Sequence, residues 1–297
     1  MYPAPFDYVR PETLQHTLDL VAHFGDEATI LAGGASLIPM MKLRLARPQW
    51  LIDIGRLDEL MGISWFDDRL AIGALTKHVH LQDAFLLRQR FPLLHDLVSQ
   101  IGDPQIRNMG TVGGSVAGAD PSSDWGPGLL ALDGAVCCVR KGGKRVVAAR
   151  DFFLGLYTTA LAPDEIVSEI FCPLPLPHTG GAHLKLERRS GDFAIANCSV
   201  QVTLDPIGHY QNIGIGIGGV STMAIKVTSA EDLLKGELPG EALHQQAAHL
   251  VSTCTNILSD IRGSAKYRKQ VLRVLFLRAL AIARRRAHGE FVEVQRV

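Results

Sequence analysis

The spacing of hydrophobic residues changes along the chain and predicts a compact first unit in residues 1–57. Apolar residues recur at helical intervals from Leu14 to Ala22, and Gly25 follows them, as expected for an amphipathic helix that ends at a glycine. The apolar runs ATILAGG and WLIDIG are typical of strands. The stretch between them, ASLIPMMKLRLA, has a helical pattern with Ser36 near its N-cap. Strand, helix and strand at this spacing predict a small parallel βαβ unit.

Residues 58–177 have a different pattern, which is typical of antiparallel hairpins. LMGISWFDDRLAIGALT predicts one hairpin with its turn at Asp67 and Asp68, and GAVCCVRKGGKRVVA predicts another with its turn at Lys141–Lys144. Between them, LQDAFLLRQRFPLLHDLVSQI has a helical pattern that Pro92 interrupts, and a short helix precedes the second hairpin. We therefore expect a second, antiparallel unit.

A third unit is predicted for residues 178–297, after the Pro- and Gly-rich stretch CPLPLPHTGG (Cys172–Gly181), whose composition indicates a linker. The run AHLKLERRSGDFAIANCSVQVTLD predicts strands and a small-residue helix, HYQNIGIGIGGV predicts another strand, and two longer helices follow. Because helices and strands mix in the outer units and the middle unit looks antiparallel, the predicted fold class is α+β.

The composition narrows the classes of function. Of the 297 residues, 47% are hydrophobic, and 30 Lys and Arg balance 30 Asp and Glu. A sizeable hydrophobic core is therefore expected. Nucleic acid is not expected as the main binding partner, because a phosphate-binding surface normally needs a surplus of basic residues. The start, MYPAPFDYVRPETL, has no secretory-signal pattern, and no window of about 18 apolar residues predicts a membrane span. We therefore expect a cytoplasmic protein without a membrane span.

Several weaker motifs favour packing over chemistry. The five cysteines are scattered without a CxxC, which fits reduced, buried thiols. GIGIGG (Gly214–Gly219) matches the pattern GxGxxG, but VSTMAIKV follows it instead of a helix, so a strand with a closely packed glycine face is favoured over a dinucleotide fingerprint. His78 and His80 lack further metal ligands nearby in the sequence, which argues against a metal site.

Two glycine-rich segments carry the candidate chemistry. In AGGAS (Ala32–Ser36), Gly33 and Gly34 stand where a strand ends and a helix begins. Here the backbone can approach a ligand closely, and free N–H groups at the helix start favour an anion. No GxxxxGK[ST] motif is present, so a P-loop site that binds a nucleoside triphosphate with magnesium is excluded. For this pair alone, a plain tight turn is the simpler alternative.

The second segment, GTVGGSVAGADPSSD, strengthens the ligand interpretation because it combines glycines, hydroxyls and the carboxylates Asp120 and Asp124 in one short stretch. This set suits a long ligand that has a diphosphate and several sugar-like hydroxyls. Backbone N–H groups would bind the phosphates, and carboxylates would accept hydrogen bonds from the hydroxyls. Two such segments in different units predict one cofactor in the cleft between them.

Four stretches resemble, in order and spacing, the FAD-binding medium subunit of molybdenum hydroxylases, the family of carbon monoxide dehydrogenase and xanthine dehydrogenase: AGGASLIPMMK, IRNMGTVGGSVAGADPSSD, KLERRSGDFAIANCSV and DIRGSAKYRKQVLRVLFLRAL. The resemblance covers nearly the whole chain. It implies the two-subdomain FAD-binding fold of the vanillyl-alcohol oxidase (PCMH) type, followed by a C-terminal α+β domain. The implied domains are subdomain 1 (1–57), subdomain 2 (58–177) and the C-terminal domain (178–297).

The resemblance also implies the cofactor contacts. The FAD diphosphate would lie on the two glycine segments, Asp124 would hold a FAD hydroxyl, and Lys185 would lie beside the flavin, where a cation stabilises its reduced, anionic form. Because Ala35 offers no side chain for a covalent link, non-covalent FAD is expected. The implied contact residues are Ala32, Gly33, Gly34, Ala35, Ser36, Ile101, Thr111, Val112, Gly113, Gly114, Ser115, Asp124, Leu161, Lys185 and Phe193.

For two groups of basic residues, a second interpretation stays open. Lys185, with Arg188 and Arg189, could form a solvated strand end instead of a flavin contact. The arginines at 284–286 end a predicted helix, where cations complement the helix dipole, but they could also form a docking patch for an acidic partner.

The resemblance implies an electron-transferring subunit. Electrons would pass from [2Fe–2S] clusters on a small partner subunit, through FAD, to NAD or another acceptor, while a large partner subunit would carry molybdopterin and hydroxylate the substrate. A dimer of heterotrimers is common in the family. Two alternatives are a stand-alone flavin-dependent reductase or oxidase of the same fold, and a non-catalytic nucleotide-binding protein. The sequence identifies no catalytic base and no metal site in this chain.

Overall fold

The structure, a computed structural model, describes residues 2–294; the outermost ends of the predicted domains, Met1 and residues 295–297, lie outside the described residues. The strands are β1 (Asp7–Val9), β2 (Ala28–Leu31), β3 (Trp50–Asp53), β4 (Ile63–Trp65), β5 (Arg69–Gly73), β6 (Ala135–Arg140), β7 (Gly143–Ala148), β8 (Phe153–Gly155), β9 (Thr158–Thr159), β10 (Ile166–Pro173), β11 (Thr179–Leu186), β12 (Ala196–Leu204), β13 (Tyr210–Gly218) and β14 (Ile225–Lys226).

The α-helices interleave with these strands, which confirms a mixed α+β fold. They are α1 (Leu14–Phe24), α2 (Leu37–Lys42), α3 (His78–Gln82), α4 (Phe85–Arg90), α5 (Pro92–Gln100), α6 (Pro104–Met109), α7 (Val112–Gly118), α8 (Trp125–Ala131), α9 (Ala149–Phe152), α10 (Thr228–Leu234), α11 (Glu241–Thr253) and α12 (Ala265–Ala287). Within residues 2–294, no helix is long and apolar enough to cross a membrane.

The first sheet confirms the predicted parallel βαβ unit. Its strand order is β1-β3-β2, both pairs are parallel, and α2 connects β2 to β3. The central strand buries Ile52 completely, and the ring of Phe24 on α1 stacks on Trp50 at 4.3 Å between centroids. Helix α2 is shorter than the sequence pattern predicts. It stops at Lys42 because Arg44 adopts a left-handed conformation with φ 60°.

The second sheet is antiparallel, with the order β4-β5-β10-β6-β7, and both predicted hairpins are confirmed. The first turns between Trp65 and Arg69, and the second turns at Lys141 and Gly142, where Gly142 has φ 81°. Pro92 stands at the first turn of a new helix, where its missing N–H costs nothing. The predicted interrupted helix is therefore a series of separate helices, α3 to α5.

The third sheet, ordered β11-β12-β13-β14, corrects two expectations. The predicted linker is only residues 174–178 long, because β10 continues to Pro173 and β11 already begins at Thr179. The small-residue helix is absent from the described structure. Residues 187–195 are turns and bends between two strands, because the small residues from Ala196 onward join a strand in which every residue but Gln201 is buried. Tertiary burial here overrides the local pattern.

Helices cover both faces of the third sheet and connect it to the first two sheets. Helix α12 packs on one face through residues such as Phe276 and Ala283. Helices α5 and α8 pack on the other face, where a Cβ on Gly214 or Gly216 would overlap backbone carbonyl oxygens of α8. The prediction that GIGIGG is a strand with a closely packed glycine face is therefore confirmed.

A buried arginine joins these layers. The side chain of Arg286, near the end of α12, is 10% exposed, and each of its N–H groups donates a hydrogen bond. Two bonds go to the carboxylate of Asp96 on α5, at 2.6 and 3.1 Å, one goes to the carbonyl of Gly181, and two go to that of Val292. Arg286 lies in the last turn of α12, where a cation complements the helix dipole, as one alternative expected, but its burial excludes it from a docking patch.

Removing Arg286 is expected to destabilise the chain strongly. In Arg286→Met, the buried Asp96 loses its partner, which costs roughly 3–5 kcal/mol of the free energy of unfolding. Arg285→Met is the matched control, because Arg285 is 57% exposed and pairs at the surface with Glu290, a contact worth about 1 kcal/mol or less. Urea denaturation of the two variants measures the difference. Equal losses in both would show that burial of the Arg286–Asp96 pair does not matter.

Candidate functional site: a glycine-lined cleft

The two glycine segments face each other across a cleft of about 380 Å³. Elements of the first two sheets' units meet here: the turn after β2 forms one wall, and α7 forms the other. Tyr157 and Glu165 also line the cleft, and the sequence analysis identified neither of them. The predicted site residues that the structure brings together in the lining are Ala32, Gly33, Gly34, Ala35, Ser36, Thr111, Gly113, Gly114, Ser115 and Leu161.

The first wall needs both of its glycines. A Cβ on Gly33 would overlap the carbonyl oxygen of Met109, so only glycine lets the two walls meet at this point. Gly34 has φ 74°, a conformation that L side chains rarely adopt. No hydrogen bond within residues 2–294 uses the backbone N–H groups of residues 33–37. This turn therefore offers a run of free donors to a ligand.

The second wall differs from the expectation that its backbone N–H groups are open to phosphates. Thr111 is the N-cap of α7, and its hydroxyl accepts a hydrogen bond from the N–H of Gly114 at 3.2 Å. The N–H groups of Val112 and Gly113 donate to carbonyls of residues 76 and 74, and that of Ser115 donates to the carbonyl of Thr111. These donors are used inside the protein because α7 is anchored on the end of β5. The wall instead offers the bare backbone of Gly114 and the hydroxyl of Ser115.

A buried histidine supports the Ser115 hydroxyl. The Nε2 atom of His78 lies 3.3 Å from Ser115 Oγ, and the imidazole is 1% exposed beneath the cleft wall and near Trp125. Burial lowers the pKa of His78 to about 4, so the ring is neutral at pH 7. Depending on its tautomer, the neutral imidazole accepts a hydrogen bond from the Ser115 hydroxyl, which leaves the oxygen free to accept another, or donates one to that oxygen.

An ion pair fixes the wall that carries Leu161. Arg145 Nε and Nη2 donate to the two carboxylate oxygens of Glu165, both at 2.7 Å, and Nη2 also donates to the carbonyl of Ala160. The N–H of Ala162 donates to the same carboxylate. The hydrogen bond from Arg145 lowers the pKa of Glu165, so its carboxylate stays ionised. These contacts hold residues 160–165 as a rigid side of the cleft.

Asp124 and Lys185 meet in a buried polar network instead of lining the cleft. Lys185 Nζ lies 2.9 Å from Asp124 Oδ2 and donates to the carbonyl of Gln100 at 2.6 Å. Asp124 Oδ1 accepts hydrogen bonds from Asn197 at 2.8 Å and His183 at 3.2 Å. Burial alone would raise the pKa of Asp124, but the charge of Lys185 and the hydrogen bond from His183 lower it to about 2. The alternative of a solvated strand end is wrong for Lys185, which is 3% exposed.

Strand register explains this network. Lys185 stands opposite Asn197, and His183 stands opposite Ser199, in the antiparallel pair β11 and β12. His183, Asn197 and Ser199 were not identified from the sequence. The signal that could have found them is the alternation of polar and apolar residues in HLKL and NCSV, which places the polar ones on one face of the sheet.

The remaining predicted contacts lie outside the cleft lining. Val112 is fully buried in the core, and Ile101 is partly buried against the same core. Phe193 is 45% exposed, and the guanidinium of Arg262 lies 5.8 Å from its ring centroid. The roles of these residues, and those of Asp124 and Lys185 toward FAD, stay predictions.

The described residues contain no group of three or more His, Cys, Asp or Glu side chains that could hold a metal ion. The cysteines are free thiols, four of them buried. Burial raises the pKa of Cys172 to about 12 and that of Cys138 to about 11, so these thiols are protonated at pH 7 and are poor metal ligands.

Acid should weaken the fold through Asp124. Its pKa in the folded chain lies below the ordinary value of 3.8, so its stabilising contribution is complete above about pH 4 and is lost as the pH falls toward 2. This contribution is on the order of 2 kcal/mol. We expect Asp124→Asn to be less stable at pH 7 and to lose less further stability between pH 4 and 2. Asp151→Asn, whose side chain is 71% exposed, is the control. Identical acid profiles for wild type and Asp124→Asn, by denaturant titration at each pH, would contradict this account.

Comparison with known proteins agrees with the geometry. Residues 4–175 match the family model "FAD binding domain in molybdopterin dehydrogenase", and residues 182–283 match "CO dehydrogenase flavoprotein C-terminal domain". The chain is 37% identical to 6-hydroxypseudooxynicotine dehydrogenase complex subunit alpha of Paenarthrobacter nicotinovorans, with 97% of each chain covered. It is 36% identical to the carbon monoxide dehydrogenase medium chain of Afipia carboxidovorans, with 97% of this chain and 99% of that one covered.

A solved structure shows the same fold. Reconstituted CO dehydrogenase from Oligotropha carboxidovorans superposes with a TM-score of 0.93 at 36% identity, and the match covers 96% of this chain and 100% of that one. Both family models and these relatives point to one assignment. The chain therefore belongs to the family of FAD-binding medium subunits of molybdenum hydroxylases, which are oxidoreductases.

Proposed function

We propose that this chain is the electron-transfer subunit of a multi-subunit molybdenum hydroxylase. Electrons would arrive from [2Fe–2S] clusters on a small partner, pass through FAD held non-covalently in the cleft, and leave to a final acceptor such as NAD. The observation that carries the proposal is the run of free N–H groups on the first wall, facing a glycine-lined second wall across a cleft.

The residues of the cleft fit FAD. Free backbone donors at residues 33–37 match the diphosphate, which prefers N–H groups that have no other partner. Glycine at 34 and 114 keeps the backbone of both walls bare, because a Cβ on Gly34 would lie 2.6 Å from the side chain of Ile38 and one on Gly114 would lie 2.8 Å from Thr111 Oγ1. Ala35 provides no atom for a covalent bond, so the cofactor would be released intact by acid or heat.

Bound FAD would supply two-electron redox chemistry and the ability to pass electrons one at a time. The protein's part is to bind and orient it. Ser115, supported by His78, would donate to or accept from a polar group of the cofactor. Lys185 would lie near the flavin ring, as the family resemblance implies, while its ion pair with Asp124 fixes the position of its ammonium group. The proposed domains are residues 1–57, 58–177 and 178–297, with the cofactor between the first two.

We further propose that molybdopterin and the [2Fe–2S] clusters reside on partner subunits, in a cytoplasmic dimer of heterotrimers. Plant-type clusters need four cysteine ligands each, several of them closely spaced. The cysteines here are dispersed, and no metal-ligating cluster occurs among the described residues. A partner surface close to the flavin, near Asp103 and residues 190–193, would receive the electron donor.

Substitutions at the cleft glycines should abolish FAD binding in a folded protein. Gly34→Val adds roughly 1–3 kcal/mol of backbone strain. Its Cβ would also lie 2.6 Å from the side chain of Ile38, so the turn that carries the free N–H groups must shift. Gly114→Val adds bulk without strain from a positive φ, and its Cβ would lie 2.8 Å from Thr111 Oγ1. Gly208→Val is the control, because Gly208 has φ 93° but nothing within 4 Å.

The readout is flavin absorbance per chain after reconstitution with FAD, with circular dichroism to check folding. Gly208→Val should bind FAD like the wild type. Full flavin occupancy in both cleft variants would show that these segments have another role.

Iron and molybdenum should be present in the assembled complex and absent from this chain when it is purified alone. Co-expression with the genes of a small and a large subunit should yield a stable assembly that contains iron and molybdenum and hydroxylates a substrate. The chain purified alone should contain FAD and neither metal. Stoichiometric iron or molybdenum in the isolated chain would overturn the proposal, and turnover of a substrate by it alone would favour a stand-alone flavoenzyme. A chain that binds FAD but is never reduced would favour a non-catalytic nucleotide-binding protein.

A further inference from the structure

A second cavity, of about 800 Å³, lies between helices α4 and α5 and the segment that follows α12. It is larger than the glycine-lined cleft, and its size is typical of sites for small molecules, which measure about 300–1,000 Å³. Residues 85, 88 and 89 of α4 line it, as do five residues of α5 between Pro92 and Gln100. Because these residues recur at helical spacing, each helix turns one face toward the cavity.

The face of α5 that lines the cavity is polar. Its opposite face is fully buried in the hydrophobic core through Leu93, Leu94, Leu97 and Val98. The cavity side carries instead His95, Asp96, Ser99 and Gln100. Asp96 and Gln100 are only 5% and 4% exposed, so polar groups form the floor of the cavity. A few polar groups among apolar walls are typical of a ligand site, because they orient the ligand.

The floor offers one hydrogen-bond acceptor that has no donor. Gln100 Nε2 donates to the carbonyl of His183 at 2.8 Å and to that of Asp96 at 3.3 Å. These two bonds identify the other side-chain atom, Oε1, as the carbonyl oxygen, and no donor within residues 2–294 reaches it. The carboxylate of Asp96, by contrast, is already paired with Arg286. A ligand can therefore donate to Gln100 Oε1 without competing with the protein.

Two further side chains on the cavity are available to a ligand. The imidazole of His95 makes no hydrogen bond with any described residue, and burial lowers its pKa, so it is neutral at pH 7 and can both donate and accept. The guanidinium of Arg88 lies 3.8 Å from the carboxylate of Glu293, which is too far for a hydrogen bond, and both side chains are exposed. Because this loose pair costs little to replace, Arg88 can bind an anionic group of a ligand.

Two aromatic rings stand at the mouth of the cavity. Phe85 and Phe291 both line it and are 68% and 76% exposed. The guanidinium of Arg88 lies 5.3 Å from the centroid of the Phe291 ring. Exposed rings of this kind offer faces on which a planar ring can stack. The mouth thus combines a cation with two flat apolar surfaces, while the floor supplies an acceptor.

We propose that this cavity is a regulatory site for a planar heteroaromatic compound that carries an amino or ring N–H donor and an anionic group. The donor would bind Gln100 Oε1 at the floor, and the anionic group would bind Arg88 at the mouth. The ring would lie between them, with Phe85 and Phe291 as its apolar contacts. Two sources have this chemistry: a purine nucleotide, and a free heteroaromatic acid that carries an amino group.

Gln100 connects the cavity with the network of Asp124 and Lys185. Its backbone carbonyl accepts the hydrogen bond of Lys185 at 2.6 Å. Its side chain donates to the carbonyl of His183, and the ring of His183 lies 3.2 Å from Asp124 Oδ1. A ligand that holds Gln100 would therefore also hold Lys185, which increases the affinity for FAD. This coupling rests on the proposed function, whereas binding in the cavity does not.

Binding is tested by calorimetric titration of the FAD-loaded chain at pH 7 with AMP and, separately, with 2-aminopyrimidine-5-carboxylate. Bound FAD keeps both probes out of the cleft. Arg88→Gln should weaken binding about 5-fold through the lost charge contact, and Phe291→Ala should weaken it by a similar factor through the lost ring. Both residues are exposed, so neither variant should unfold the chain.

The chain offers a matched control for each variant. Arg90 is exposed on the same helix as Arg88 but lies over the ring of Trp65 and does not line the cavity, so Arg90→Gln should bind like the wild type. Phe66 is 49% exposed and also lies beside an arginine, Arg69, outside the cavity, so Phe66→Ala should likewise have no effect.

The regulatory effect is tested by the rate at which FAD dissociates from the loaded chain, followed by flavin fluorescence after dilution. A probe that competed for the empty cleft could not change this rate. A saturating probe should slow dissociation about 5-fold in the wild type, and at the same probe concentration the effect should be smaller in Arg88→Gln. An unchanged rate at saturation would show that the site is not regulatory.

The outcomes separate this inference from the proposed function. Binding of AMP alone would identify a nucleotide, and binding of the pyrimidine acid alone would identify a free heteroaromatic acid; either supports the site. No binding of either probe at millimolar concentration, or equal binding in all four variants, would overturn it. If the chain cannot be loaded with FAD, the proposed function fails, while binding of the pyrimidine acid with the same pattern among the variants would still support the cavity.

Discussion

The site depends on one buried ion pair, Asp124 with Lys185, because it joins the two halves of the chain. Asp124 begins α8 in the FAD-type half, and Lys185 lies on β11 of the C-terminal sheet. A buried pair of this kind stabilises the fold only if its remaining donors and acceptors are satisfied, and Gln100, His183 and Asn197 supply those partners. The arrangement fixes where α5, α8 and the C-terminal sheet meet, beside the glycine-lined cleft. The bidentate Arg286–Asp96 pair holds the other end of the same interface.

Close backbone contact is the second constraint. Gly33 lets the turn after β2 touch the carbonyl of Met109, and Gly214 and Gly216 let β13 lie directly on α8. Gly34 serves a different purpose, because its positive φ of 74° shapes the turn that carries the free N–H groups. The cleft is thus a consequence of how two small units and a third sheet are packed, and its free N–H groups lie at residues 33–37, where the first wall makes no hydrogen bonds of its own.

Local patterns predicted the local structure well. The βαβ unit, both hairpins and the strand over GIGIGG follow from hydrophobic period and turn residues, which act within a few positions. The expectations that were wrong depend on distant residues: the burial of Arg286 requires Asp96, and the use of the α7 N–H groups requires the end of β5. The network around Asp124 likewise needs the β11–β12 register. The family resemblance, carried by motifs, identified much of the cleft lining but neither Tyr157 nor Glu165.

The central claim is that the free donors of residues 33–37 and the wall opposite them hold the FAD diphosphate. An experimental structure of the FAD-loaded chain tests this most directly. The account predicts diphosphate oxygens within hydrogen-bonding distance of backbone N–H groups in residues 33–37, Gly114 close to the same group, and the isoalloxazine toward Lys185 and Phe193. A diphosphate bound outside this cleft, or the flavin ring at its opposite end, would contradict the account.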